Sequence, residues 1–212
     1  MYAGGICFIT DRKSSPFSLE EMTLMVIQSQ ILWIQYRDKE RTRRELYENA
    51  LSLRRITLDS HAVFIVNDHA DIARAVDADG VHLGQEDLPL REARKIMGKN
   101  RIIGISTHSI EEAISAEKNG ADYIGFGPVF HTTTKDAGTP KGIAMLHEIK
   151  QRIALPLVAI GGITLTNLPD VLDAGADAVA IASSLLRGNI RQNADRFASL
   201  VYSHHNNQEG TQ

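Results

Sequence analysis

Cysteine is nearly absent: one residue in 212, so no internal disulfide can form and a reducing compartment is expected. That residue, Cys7, stands in the apolar run Ile6-Cys7-Phe8-Ile9 and reads as a packing thiol rather than a reactive one. Long apolar runs are missing too. None approaches the eighteen or so residues of a membrane-spanning helix, and the N-terminus lacks the basic-then-apolar order of a secretory signal, so a cytoplasmic location without membrane contact is expected. Charge of one sign is equally scarce. The 23 basic and 26 acidic side chains leave a net charge of -3 without a long block of either sign, which argues against nucleic acid as a partner. Several signatures are also lacking. There is no Gly-x-Gly-x-x-Gly after the first apolar run, where Thr10-Asp11-Arg12 stands instead, and no Gly-x-Ser-x-Gly elbow, Cys-His pair or metalloprotease motif.

What the chain does have is alternation of short β-rich runs with amphipathic ones. Strands are expected over residues 5–10, 32–37, 62–66, 80–83, 101–105, 123–126, 157–160 and 178–182. Between them, Ser18 with Glu21 and Ser109 with Glu112 have the spacing of capping boxes. Asn119-Gly120 and Ala174-Gly175 place glycine where a helix ends. Leu46, Ala50 and Leu53 share one helical face, as do Ile110, Ala113 and Ile114. An internal echo sets the architecture. Ala78-Asp79, Ala121-Asp122 and Ala176-Asp177 each lead into a strand, 43 and 55 residues apart, which is two β-α units each time. Eight such units with right-handed crossovers predict a single-domain (β/α)8 TIM barrel, an α/β fold over residues 1–202, with an open doubly wound sheet as the alternative. Residues 203–212, SHHNNQEGTQ, carry no apolar face and are expected to form a disordered polar tail.

In a TIM barrel the active site lies at the C-terminal ends of the strands. Polar groups fall there repeatedly: Gln35, Arg37, Asp38 and Lys39; Asn67 and Asp68; Gln85 to Asp87; Ser106; Thr132, Thr133, Thr134 and Lys135; Gly161-Gly162; Ser183. Three subsites follow. Gly161-Gly162 with Ser183, after strands seven and eight, suit a monophosphate bound through backbone N–H groups. Arg37, Lys39 and Lys135, with the hydroxyls of Thr132 and Thr134, bring more positive charge to a second place than one monophosphate requires, and suit a diphosphate. Asp68 and Asp87 end neighbouring strands and suit Mg²⁺, two carboxylates with water and phosphate oxygens completing an octahedron. Blander roles compete: Asp68 and Asp87 as helix caps, Arg37 and Lys39 as a solvated cluster with Asp38 and Glu40, Asn67 and Ser106 as turn residues. His82, inside a strand, is expected to be a hydrogen-bonded core residue.

The segments IQYRDK (34–39), IVND (65–68), ADGVHLGQEDLP (78–89), GIST (104–107), the stretch 121–135, AIGGI (159–163) and 178–183 together resemble the thiamine-phosphate synthase family. The resemblance implies a transferase of thiamine biosynthesis that joins a hydroxymethylpyrimidine diphosphate to a thiazole phosphate and releases pyrophosphate, with Mg²⁺ as cofactor. It implies that Gln35, Tyr36, Arg37, Asp38, Lys39, Asn67, Ser106 and Lys135 hold the pyrimidine diphosphate, with Arg37, Lys39 and Lys135 stabilising its departure. Asp68 and Asp87 would hold the metal. Thr132, Thr133, Thr134, Gly162, Ala182 and Ser183 would hold the thiazole phosphate. Two departures stand out: His131 where the family usually has proline, and no glycines ahead of the second strand. Thiazole tautomerase-like chemistry, or a non-catalytic barrel that binds a phosphate ligand, are the alternatives. A homo-oligomer is compatible with the sequence, which specifies none.

Overall fold

A computed structural model describes residues 5–132 and 138–209. Eight parallel strands close into one barrel in chain order: β1 (Gly5–Ile9), β2 (Trp33–Tyr36), β3 (Val63–Asn67), β4 (Gly80–Leu83), β5 (Ile102–Thr107), β6 (Tyr123–Phe126), β7 (Leu157–Ile160) and β8 (Ala178–Ile181). The expected TIM barrel is therefore present, and strand bounds differ from the sequence reading by two residues at most. Helices α1 (Leu19–Ile27), α2 (Arg43–Asp59), α3 (Ala70–Ala75), α4 (Leu90–Met97), α5 (Ile110–Lys118), α6 (Gly142–Lys150), α7 (Leu168–Asp173), α8 (Ser183–Leu186) and α9 (Ile190–Glu209) pack outside. No helix among the described residues is long and apolar enough to cross a membrane.

Local chemistry explains the boundaries. Ser18 and Glu21 form the reciprocal capping box at the start of α1, and Thr42 with Glu45 does the same for α2. At α5, Ser109 caps Glu112, but the Glu112 carboxylate accepts from the N–H of His108 rather than closing the box. Gly120 and Gly175 take φ of +85° and +94° just after α5 and α7, the left-handed conformation glycine adopts without a Cβ penalty. On α2, Leu46, Ala50 and Leu53 are buried against the strands, each fully buried leucine contributing about 2 kcal/mol. One prediction fails here. Residues 203–209 continue α9 instead of forming a loose tail, because Ala194, Phe197 and Val201 anchor the helix against the barrel and each further residue adds a backbone hydrogen bond to an existing nucleus.

The Ala-Asp echo has a structural meaning. Asp79, at the start of β4, accepts from the N–H of Phe64 at 2.8 Å and from Arg54 of α2 at 2.9 Å. Asp122, before β6, accepts from Ile103 N–H at 2.7 Å and from Arg94 of α4 at 2.6 Å. Asp177, before β8, accepts from Leu157 N–H at 2.7 Å and from Lys150 of α6 at 2.6 Å. Each copy thus ties its own strand, the preceding strand and a basic residue of the helix ahead of that strand, all at the N-terminal face of the barrel, where stability rather than chemistry resides.

Inside the barrel, Cys7, Ile9, Trp33, Ile65, Tyr123, Val158, Ala178 and Ala180 form a core separate from the larger one between strands and helices. Burial raises the Cys7 pKa far above the usual thiol range, in keeping with a packing role.

Candidate active site

Alternation along each strand decides which side chains can reach the mouth. On β2 the side chain of Gln35 faces the barrel interior, 4% exposed, with its amide nitrogen 3.9 Å from Cys7 Sγ. Tyr36 faces the other way. Its hydroxyl accepts from Asn49 of α2 at 3.1 Å, and burial pushes its pKa up to about 12. The Tyr36 side chain therefore packs behind the strand, away from the barrel interior. Arg37 returns to the inside and lines the cleft at the mouth. Its backbone is pinned by Thr10, whose hydroxyl accepts from Arg37 N–H at 3.0 Å.

Beside that cleft lies a tight cluster of charge. Lys39 Nζ is 2.5 Å from Asp68 Oδ2, and the Asp68 and Asp87 carboxyls are hydrogen-bonded to each other. Asp68 takes φ +65°, with its N–H donating to His82 O at 2.8 Å. Asp87 is held by Gly84, whose N–H donates to Oδ2 at 2.7 Å. Neither aspartate caps a helix: the residues at the starts of α3 and α4 are His69 and Pro89, and neither cap makes a side-chain hydrogen bond. Burial raises the Asp87 pKa, and the neighbouring Asp68 raises it further against the Gly84 N–H, leaving it above the ordinary value. Burial also acts upward on Asp68, but the Lys39 ammonium and the hydrogen bond from Asp87 outweigh it and leave Asp68 below the ordinary value. Two carboxyls in contact require either a shared proton or a cation between them. The pair therefore fits a divalent ion held by oxygen ligands, with water and phosphate oxygens making up the rest of its shell. No group of three or more His, Cys, Asp or Glu among the described residues forms a closed protein-only metal site.

Asp38 is placed differently from the expectation. Its Oδ2 lies 3.4 Å from Arg12 Nε and 3.9 Å from Arg41 Nε, and its Oδ1 accepts from Glu40 N–H at 3.1 Å. A carboxylate engaged in this way orders the loops after β1 and β2.

The opposite side of the cleft is built by glycine. Val129 and Phe130 donate from their N–H groups to Ile160 and Gly161 carbonyls at 2.9 and 3.0 Å, extending β6 along β7. A Cβ on Gly162 would lie 2.4 Å from His131 O, so the double glycine serves to admit this neighbouring loop as well as to bare its own backbone. Ser184 Oγ donates to Ile163 O at 2.7 Å, joining the β7 loop to α8. Thr132, Gly162, Ala182 and Ser183 line the same cleft as Arg37 and Ser106. Asn67 ends β3 opposite His82. Thr133, Thr134 and Lys135 lie outside the described residues.

His108, not singled out in the sequence, also contributes, and Gln85 and His82 find their partners here. His108 lines the cleft, and its Nδ1 donates to Gly127 O at 2.6 Å. Gln85 donates from Nε2 to Ser106 O at 2.6 Å. His82 is hydrogen-bonded, as expected, through both ring nitrogens: Nδ1 is 2.8 Å from Tyr123 Oη and Nε2 is 2.9 Å from Ser106 Oγ. Position at a strand end was the available signal for His108; for Tyr123 it was the glycines that make room for it.

A closed (β/α)8 barrel that gathers cationic, acidic and glycine-bared groups at the C-terminal ends of its strands defines an enzyme acting on phosphorylated small molecules. The family described as thiamine monophosphate synthase matches residues 6–185, and the chain belongs to it. It is 51% identical over 170 residues to a thiamine-phosphate synthase of Methanospirillum hungatei, covering 79% of this chain and 82% of that one. It is 43% identical to one from Chlorobium phaeobacteroides, covering 94% and 97%. The solved structure of a thiamine phosphate pyrophosphorylase from Pyrococcus furiosus superposes with a TM-score of 0.88 at 38% identity, covering 96% of this chain and 98% of that chain.

Proposed function

We propose that the protein is a thiamine-phosphate synthase that binds a hydroxymethylpyrimidine diphosphate on the β2–β5 side of the mouth and a thiazole phosphate on the β6–β8 side. The C–O bond between the pyrimidine methylene and the diphosphate breaks, with the electron pair leaving on the diphosphate. The thiazole ring nitrogen then forms the new C–N bond, giving thiamine phosphate and pyrophosphate. No proton moves in the bond-forming step, so neither a general base nor a protein nucleophile is required.

Arg37 and Lys39, with Lys135, stabilise the negative charge that grows on the departing diphosphate. Asn67 and Ser106 orient that substrate, over a floor to which Gln35 contributes. Asp68 and Asp87 would hold Mg²⁺, which supplies charge neutralisation to the diphosphate when bound. Thr132, Thr133, Thr134, Gly162, Ala182 and Ser183 anchor the thiazole phosphate, so that its nitrogen approaches in line and water is kept from the cationic methylene. The observation that carries this reading is the Lys39–Asp68–Asp87 contact set directly beside the cleft that Arg37 and Ser106 line. A tautomerase or a monophosphate-binding barrel has no use for that cluster.

The test is pyrophosphate release from purified protein supplied with both substrates and Mg²⁺. Release that requires all three, with an Arg37→Ala variant reduced by about 10²–10³-fold as for loss of a preorganised charge-stabilising donor, supports the assignment. Isomerisation of the thiazole without pyrophosphate release would replace it.

A further inference from the structure

The hydrogen bonding between β1 and β2 changes character at the mouth. The parallel ladder is regular as far as Ile9 and Gln35, and Thr10 N–H donates to Gln35 O at 3.0 Å. Continued in the same pattern, Arg37 N–H would donate to Thr10 O, and Arg37 O would accept from Arg12 N–H. Neither bond is present; after Thr10 the chain leaves for the short 3-10 turn Arg12–Ser14, which Asp11 caps. The Thr10 hydroxyl fills both places. Its Oγ1 accepts from Arg37 N–H at 3.0 Å and donates to Arg37 O at 3.3 Å. A hydroxyl has one hydrogen and lone pairs besides, so this one group satisfies both main-chain polar groups of Arg37. Thr10 is fully buried, so water cannot replace the hydroxyl at no cost.

What the hydroxyl holds is an arginine without another anchor. Arg12, Arg41, Arg43 and Arg54 each meet a carboxylate. Arg37 lines the cleft, and among the described residues no carboxylate or carbonyl engages its guanidinium. The group therefore stays available to an anion, and where it sits follows from where its main chain is held. A long side chain with several rotatable bonds has a defined reach only if its Cα is fixed.

We propose that Thr10 is a positioning residue of the diphosphate site: its hydroxyl extends the β1–β2 ladder by one residue and so fixes Arg37 where its guanidinium meets the departing diphosphate. This rests on the diphosphate reading above. Without the hydroxyl, the N–H and C=O of Arg37 lose their partners, the end of β2 is freed from β1, and the guanidinium loses its fixed origin. Displacement of a charge-stabilising group by a fraction of an ångström is enough to slow a reaction that depends on alignment.

Two measurements test it. The first is kcat/KM for the pyrimidine diphosphate in Thr10→Val, which removes the hydroxyl and keeps the shape, and in Thr10→Ser, which keeps the hydroxyl. Thr10→Val should lose about tenfold, part of the roughly 10²–10³-fold expected on losing a whole charge-stabilising donor, and Thr10→Ser should recover most of it. In an Arg37→Ala background Thr10→Val should lose less than about twofold. Equal losses in the valine and serine variants, equal losses in both backgrounds, or a lowered melting temperature with unchanged kcat/KM, each overturn the proposal. If Thr10→Val does not fold, Thr10→Ala takes its place with the same outcomes. The second measurement needs no turnover. Calorimetric titration with inorganic pyrophosphate and Mg²⁺ should show weaker binding in Thr10→Val than in the wild type, and no further weakening when the substitution is added to Arg37→Ala; wild-type affinity in Thr10→Val overturns the proposal. A wild-type protein that releases no pyrophosphate from both substrates and Mg²⁺ defeats the diphosphate reading and this inference together. An active wild type with an additive cycle defeats the inference alone.

Discussion

Asp122→Ala isolates the device behind the Ala-Asp echo. The carboxylate accepts from Ile103 N–H at 2.7 Å and from Arg94 at 2.6 Å, with side-chain exposures of 35% for Asp122 and 24% for Arg94. Truncation leaves the first N–H of β5's buried stretch without its charged acceptor, a loss of about 1.5–2 kcal/mol, and removes a partly exposed ion pair worth about 0.5–1 kcal/mol. The expected total is about 2–3 kcal/mol, or roughly 5–10 °C in melting temperature for a chain of this length. Urea unfolding followed by far-ultraviolet circular dichroism measures it. Because Asp122 lies at the N-terminal face, far from the mouth, kcat and KM at 25 °C should stay within a factor of two. A destabilisation below 0.5 kcal/mol would refute the tie; normal stability with lost activity would refute the separation of the two faces. Asp79→Ala and Asp177→Ala should behave alike, since each repeats the same contacts on its own strand pair.

Gly104→Ala places a methyl against the Tyr123 ring, which has no free space to move into, and should cost about 1–3 kcal/mol of stability while lowering activity through the displaced ring; wild-type values for both would show that the interior is looser than its geometry indicates. Cys7 should resist thiol reagents in the native protein and react only on unfolding, because burial holds its proton; fast native-state labelling contradicts this. The Glu21 and Glu45 carboxylates accept hydrogen bonds from Ser18 and Thr42 that hold their pKa values below the ordinary one. A lowered folded-state pKa stabilises the protein above the unfolded-state value near 4.5, and that contribution is lost as pH falls through the folded value. Glu21→Gln should therefore flatten the acid side of the stability profile, and an unchanged profile would count against the capping box.

The barrel was legible because its cause is local. Eight apolar runs, helix starts such as Ser18 with Glu21, and a repeated Ala-Asp pair all lie within short windows of sequence. The aspartate pair was legible as well, since the ends of β3 and β4 are neighbours in any such barrel. Where the reading went astray, the deciding partner was distant or the period was ignored. Tyr36 sits between two inward residues, so alternation sends it to α2, and a motif read as a block hid that. Asp38 answers to Arg12, on a different loop. The Tyr123–His82–Ser106 contacts depend on barrel stagger, which brings β4, β5 and β6 side chains to one height and leaves no trace in any single segment beyond the glycines at 104 and 125.

The most direct measurement of the central claim is pyrophosphate release by the wild-type protein with each of the two substrates and Mg²⁺ omitted in turn, beside Asp87→Ala. Release that needs all three components, and that falls by a hundredfold or more in the folded Asp87→Ala protein as expected for loss of preorganised charge stabilisation, is the predicted result. Release independent of Mg²⁺ and untouched by the Asp87 substitution, or no release from a folded wild-type protein, would contradict it.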